Sequence, residues 1–266
     1  MWERLPKLPS FGFKKRKVLL VRYLIVSDLH ANWEALEAVL EDAEGRYDRA
    51  VCCGDLVGYG ADPNRVVEWV RDHCSVTVRG NHDRACTGLE DLEWFNPVAR
   101  AAAVWTLDNL SPENATFVRE LPHGPSFLDG IQLLHGSPLD EDEYVVGPEE
   151  AFEAFAYLET HLAFFGHTHL QGGFVWNQAR VETIPPVPID SDRAAMDIES
   201  GTGYLINPGS VGQPRDGDPR AAYALFDTEE KMVRYRRVRY DVDTAQNKIR
   251  EAGLPHFLAD RLAVGR

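Results

Sequence analysis

Cysteine is scarce in this chain: Cys52, Cys53, Cys74 and Cys86 are the only four in 266 residues, and no two form a CxxC pair. That excludes a disulfide framework and makes a reducing cytoplasm the expected compartment. Cys52 and Cys53 fall in an apolar run ahead of Gly54 and read as small buried hydrophobes. Long hydrophobic runs are also missing. None approaches the ~18 apolar residues that a membrane span needs. Basic residues are in deficit, 28 Lys/Arg against 42 Asp/Glu for a net charge of −14, and the deficit is uneven. Residues 1–22 carry seven Lys/Arg against one Glu, which leaves the rest near −20. An acidic body of that size disfavours tracking a polymeric nucleic acid, so a phosphate-bearing small molecule must be attracted locally. What the chain does have is 44% hydrophobic and 10% aromatic residues, enough for a sizeable core.

Residues 1–17 are basic and irregular, with Pro6, Pro9 and Gly12, and read as a flexible tail. The following apolar stretch, Val18–Val26, is short and interrupted by Arg22, and no small-residue cleavage site precedes Asp28, which argues against a signal peptide. No linker divides residues 18–266, which are expected to form one α/β domain.

Residues 22–83 alternate strand and helix. Tyr23–Val26, Arg49–Cys53 and Ser75–Arg79 are strands; Asn32 caps one helix, and Asp62-Pro63 opens a second with Pro at its first position. Such alternation predicts parallel pairing with helical crossovers. Helices are expected over 96–121, with a second start at Ser111-Pro112, then around 149–157 and 243–252, with a final turn or two after Pro255. Trp94, Phe95, Trp105 and Phe117 are expected to pack the middle helices. Between and after them, eight short β-like runs extend to Val238, and Pro185–Gly203 reads as an exposed loop.

Five short segments carry the chemistry: Asp28-Leu29-His30, Gly54-Asp55, Gly80-Asn81-His82-Asp83, His135-Gly136 and Gly166-His167-Thr168-His169. Each presents Asp, Asn or His at a predicted strand end. In extended backbone, residues i and i+2 share a side, so Asp28 and His30 would meet one ion while Leu29 turns into the core. His167 and His169 repeat that spacing and can divide between two ions. Asp55 would bridge the pair through its two oxygens, and Asn81 and His135 complete the set. Oxygen and imidazole ligands in this mixture suit two divalent ions, Mn first, with Fe, Zn, Ni or Mg as alternatives. His82, beside ligand Asn81 but not needed as one, is set to protonate a leaving alkoxide as general acid. Asp83 either orients His82 or caps the following turn.

In order and spacing these segments resemble the calcineurin-like metallophosphoesterase superfamily, from about residue 23 to 240, and in particular its small bacterial and archaeal phosphodiesterase-like branch. The resemblance implies a four-layer α/β/β/α sandwich with two mixed β-sheets. It also implies that Asp28, His30, Asp55 and His169 hold one metal, that Asp55, Asn81, His135 and His167 hold the other, and that His82 is catalytic. One departure narrows the branch. Phosphoprotein phosphatases and dinucleoside-polyphosphate hydrolases of the superfamily continue the second block as GDxxDRG, whereas here Gly58 and Tyr59 replace the acid and the phosphate-gripping Arg. The run Asn207–Gly212, read mainly as a structural turn, also fits the phosphodiesterase-like branch.

The expected activity is hydrolysis of a phosphodiester or small phosphoester by a metal-bridging hydroxide. A protein phosphatase or dinucleoside-polyphosphate hydrolase is the first alternative, with Arg84 or Arg215 supplying the missing guanidinium. A metal-binding scaffold is the second. Arg215 and Tyr59 are candidate substrate contacts, through a phosphate and an aromatic group respectively. The acidic run Asp140–Glu143 is expected to be a solvated lid. His73, His123, His161 and His256 match no block and are read as surface or core residues.

Overall fold

The computed structural model describes residues 20–177 and 180–266; the basic segment 1–17 lies outside them. β1 (Arg22–Val26), β2 (Arg49–Cys52) and β3 (Cys74–Thr77) run parallel, joined by α1 (Trp33–Ala43) and α2 (Pro63–His73). After them come α3 (Asn81–Ala85), α4 (Pro97–Asn109), α5 (Pro112–Arg119), β4 (Ser126–Leu128), β5 (Ile131–Leu133) and α6 (Pro148–Phe155). The remainder is β6 (Leu162–Phe164), β7 (Gly172–Trp176), β8 (Val181–Ile184), β9 (Arg193–Asp197), β10 (Gly203–Asn207), β11 (Ala221–Asp227), β12 (Met232–Val238), α7 (Val242–Glu251) and α8 (His256–Asp260).

The strands form two mixed six-stranded sheets, ordered β3-β2-β1-β11-β12-β9 and β4-β5-β6-β10-β7-β8. Their facing sides share one apolar layer, to which the first sheet gives Tyr23, Ile25, Val51 and Phe226, and the second Leu133, Phe164 and Ile206. The outer face of the first sheet packs Leu24, Val26 and Cys52 under Leu36, Val39, Val66 and Val70 of α1 and α2. On the outer face of the second, Ala163, Phe174 and Leu205 lie under Ala151 and Phe155 of α6. The result is the expected α/β/β/α sandwich. Strands covered on both sides read as continuous apolar runs because neither face meets water. Cys52 and Cys53 are both buried, pointing to opposite faces of the first sheet. Among the described residues no helix is long and apolar enough to cross a membrane.

The structure corrects the sequence reading in three places. Pro185–Gly203, expected to be an exposed loop, contains β9, which pairs antiparallel with β12 at the sheet edge. Its Arg193 and Asp197 face water and only Ala194 and Met196 pack inward, so the strand lacks an apolar run. Asn81, His82 and Asp83 lie in the helix α3 instead of at a strand end. Asp62 does not cap α2 through its side chain; its carboxylate instead meets Lys248 of α7 at 2.7 Å.

Candidate metal centre

Every strand that carries a sequence motif opens toward one rim. β1, β2 and β3 of the first sheet deliver Asp28, Asp55 and Asn81, and β5 and β6 of the second deliver His135, His167 and His169. The backbone there is not extended. Asp28, His30, Asp55, His167 and His169 all have positive φ, between 44° and 65°, the left-handed region that non-glycine residues rarely enter. The i, i+2 pairs therefore converge through tight left-handed turns, contrary to the strand alternation expected from the sequence. Leu29 is nonetheless fully buried in the core.

Two buried groups of ligand atoms result, Asp28, His30, Asp55 and His169 in one and Asp55, His135 and His167 in the other. Asn81 joins the second, its Oδ1 lying 3.3 Å from His135 Nε2. The structure thus brings all seven predicted ligand residues together around Asp55. The two Asp55 oxygens are not equivalent. Oδ1 accepts the His82 backbone N–H at 2.9 Å. Oδ2 has no hydrogen-bond partner and stands 3.5 Å from both His30 Nε2 and His135 Nε2. Oδ2 thus faces both ligand groups.

The imidazoles are oriented by backbone carbonyls. Nδ1 of His30, His135 and His169 lies 3.1, 2.8 and 2.6 Å from the carbonyl oxygens of Val57, Cys53 and Gln213. A carbonyl only accepts, so each Nδ1 carries a proton and each Nε2 faces the centre. His167 is reversed, with Nε2 donating to the Asp142 carbonyl at 3.0 Å and Nδ1 left as the free lone pair. Burial drives His30 and His169 far below the usual imidazole range, His167 to about 3 and His82 to about 4. These rings are neutral at pH 7. Burial also disfavours charge on His135, but Asp55 outweighs it and lifts the imidazole to about 10. Burial, reinforced by the Asp55 charge, pushes Asp28 up to about 7.

The residues fit a metal pair. A buried carboxylate oxygen without a partner is costly, and Asp28 Oδ2 and Asp55 Oδ2 are both in that state among neutral imidazole lone pairs. Divalent cations would satisfy both oxygens and displace the His135 proton.

The surrounding loops are cross-braced. Asp83, fully buried, accepts backbone N–H bonds from Gly80 (3.0 Å), Asp55 (2.9 Å), Leu56 (2.8 Å) and Val57 (3.3 Å). It caps its own turn, one of the two roles expected for it, and grips the Asp55 loop as well; its carboxylate does not bond to the His82 ring. A Cβ on Gly80 would fall 2.1 Å from Asp55 Oδ1, so only glycine fits there. Asn207–Gly212 is more than a turn. Ser210 Oγ donates to the Asp28 carbonyl at 2.8 Å, and Asn207 Nδ2 donates to the Gly166 carbonyl at 3.0 Å.

His82 has a buried Nδ1 without a partner, and its ring meets those of Tyr59 and His30 at 4.3 and 5.0 Å between centroids. Gly58 makes this packing possible: its φ is +84°, and a Cβ there would lie 2.9 Å from His82 Nδ1. Arg215 lies beside Tyr59, its Cζ 5.8 Å from the ring centroid. Arg84 is not available as a phosphate donor, being committed to Glu90, Glu141 and Asp142. The acidic run is correspondingly less solvated than expected, because Glu141 is clamped between Arg79 and Arg84. Sequence reasoning missed Tyr144, whose ring stacks on His167 at 3.8 Å. An aromatic just after an acidic run was the only signal available.

The model of the calcineurin-like phosphoesterase superfamily domain matches residues 21–231. The chain belongs to that superfamily. A family relative, an uncharacterized protein of Methanocaldococcus jannaschii, is 36% identical over 254 residues, covering 91% of this chain and 97% of its own. The crystal structure of a metallophosphoesterase from Sphaerobacter thermophilus is 42% identical, with a TM-score of 0.80 over 93% of this chain and all of that one. A hypothetical protein of Pyrococcus horikoshii shares the fold at 20% identity, with a TM-score of 0.74 over 92% of this chain and 98% of its own.

Proposed function

We propose that this superfamily member is a cytoplasmic, dinuclear-metal-dependent hydrolase of small phosphoesters, phosphodiesters included. The observation that carries the reading is the unpartnered Asp55 Oδ2, 3.5 Å from one imidazole of each buried ligand group. Asp28, His30, Asp55 and His169 would hold one ion, and Asp55, Asn81, His135 and His167 the other, with Mn the first candidate. When bound, the ions supply Lewis acidity toward phosphoryl oxygens and a water acidic enough to act as nucleophile.

The protein's own residues do the rest. Arg215 grips a phosphoryl oxygen from the mouth of the site, in place of the arginine absent after Gly58. Tyr59 walls the site beside His82 and confines the substrate. His82 would bond the leaving-group oxygen and give it a proton. Burial lowers its pKa to about 4, and the negative charge of a bound phosphoester would favour the imidazolium. Asp83 acts through others, holding the Asp55 loop. With Arg84 already paired, Arg215 alone is left to serve the alternative of a protein phosphatase or dinucleoside-polyphosphate hydrolase.

The test is turnover of bis(4-nitrophenyl) phosphate and of 4-nitrophenyl phosphate by chelator-stripped protein with and without added Mn. Metal-dependent release of nitrophenol is expected with at least one ester. Protein that binds two ions and releases none from either would be a scaffold.

A further inference from the structure

Four of the five motif histidines have their rings fixed by a backbone carbonyl, at 2.6–3.1 Å. His82 is the exception. No hydrogen bond to its ring occurs among the described residues, and its buried Nδ1 has no partner. The carboxylate of Asp83, the next residue, is committed to backbone N–H groups. A histidine ring has only a broad torsional well of its own. Its angle here is therefore set by whatever packs around it, and the residue is just 5% exposed.

Three rings and a glycine make that enclosure. Tyr59 lies tilted against His82 at 4.3 Å between centroids, and His30 meets it edge-on at 5.0 Å. The side toward Gly58 is closed by backbone, since a Cβ there would come within 2.9 Å of Nδ1. The third ring is Phe95, at 88° to His82 with centroids 5.7 Å apart. This is the edge-to-face arrangement that aromatic quadrupoles favour, with an angular preference that an aliphatic contact lacks. Phe95 is itself anchored. Its backbone N–H donates to the Leu92 carbonyl at 3.1 Å, and Arg100 of α4 donates to the Leu92 and Glu93 carbonyls at 2.8 and 2.6 Å. The following residue, Asn96, caps α4 by accepting the N–H groups of Val98 and Ala99. The Phe95 side chain packs on two apolar clusters, one holding Leu36 and Val66 and the other Tyr59 and Leu258. It thus braces His82 against the helical layer.

We propose that Phe95 is a positioning residue for the reaction: with Tyr59 it holds the His82 imidazole at the angle from which its proton reaches the leaving-group oxygen. The role rests on the phosphoesterase reading, whereas the brace itself is read without turnover.

The experiment compares the wild type with Phe95→Leu, which keeps apolar bulk and removes the ring, and with Phe95→Tyr, which keeps the ring. Mn-loaded protein is given 4-nitrophenyl phosphate, whose leaving group departs readily as its anion, and benzyl phosphate, whose alkoxide needs a proton as it leaves. Bis(4-nitrophenyl) phosphate and dibenzyl phosphate form the same pair for diesters. Phe95→Leu should lower kcat for the benzyl ester about tenfold more than for the nitrophenyl ester, with KM little changed, because a misplaced acid costs at least that order. Phe95→Tyr should keep the wild-type ratio of the two rates within about threefold. A merely structural role would slow both esters alike, so equal slowing, or none, would overturn the proposal. Hydrolysis of nitrophenyl esters alone by the wild type would mean that no proton is delivered, and would overturn it as well. In zinc-loaded protein the His82 imidazole should give one sharp set of NMR resonances, which Phe95→Leu shifts and broadens while those of His135 and His169 stay in place. His82 resonances unmoved by Phe95→Leu would overturn the brace. Disturbed His82 resonances without hydrolysis of any ester would keep the brace and reject the phosphoesterase reading.

Discussion

Replacing Asp83 by Asn tests whether this residue holds the site together. The carboxylate receives four backbone N–H groups, three of them from Asp55, Leu56 and Val57. Asn offers one acceptor oxygen and turns an NH2 toward the remaining donors, so about two N–H groups lose their partner. Hydrogen bonds to a buried charged group are worth about 1.5–3 kcal/mol each, which puts the loss at about 3–6 kcal/mol. Burial, reinforced by the Asp55 charge, pushes Asp83 up to about 7, so the comparison belongs at pH 8, where the carboxylate is ionised. For a chain of this size the cost is a fall in melting temperature of roughly 10 °C or more. Thermal unfolding and metal content by elemental analysis should be read together. Asp55 rides on the gripped loop, and bound metal should drop below two ions per chain. A variant within about 1 kcal/mol of the wild type, with both ions retained, would refute the role.

Three further outcomes are expected. His82→Ala should lower kcat by about 10²–10⁴ with metal content unchanged; unaltered turnover would remove His82 as the acid. Gly58→Ala, which sets a methyl 2.9 Å from His82 Nδ1 on a φ of +84°, should reduce kcat while the metal stoichiometry holds, and normal kinetics would mean that the loop relaxes at no cost. Because His135 titrates near 10 in the absence of cations, metal binding at pH 8 should release about one proton, seen as a buffer-dependent enthalpy in calorimetry. Buffer-independent enthalpy would show that His135 is already neutral.

The sequence carried the layers and the seven residues that the fold gathers around Asp55, because buried strands and Asp/His blocks leave local signatures at fixed spacing. It misjudged what depends on three-dimensional closure. Left-handed φ at Asp28 and His167 is imposed by loop bonds from residues far along the chain, such as Ser210 and Asn207. β9 is too exposed to show an apolar run, and it exists because β12 has a free edge for it. Arg84 looked available until the fold brought Glu141 and Asp142 to it across more than fifty residues. Tyr144 reaches the site by folding alone.

Each ligand group draws on both sheets. Asp28, His30 and Asp55 extend from the first and His169 from the second; Asp55 and Asn81 extend from the first and His135 and His167 from the second. An ion in either group would therefore rivet two layers that elsewhere meet through an apolar layer and a few polar bridges, such as Tyr235 Oη to the Gly172 carbonyl at 2.6 Å. Losing the ions would free the rim while the apolar layer stayed closed, so the sandwich would open like a book from its catalytic edge. Resistance to that parting, and with it the order in which the layers come undone, would then track metal supply as much as core packing.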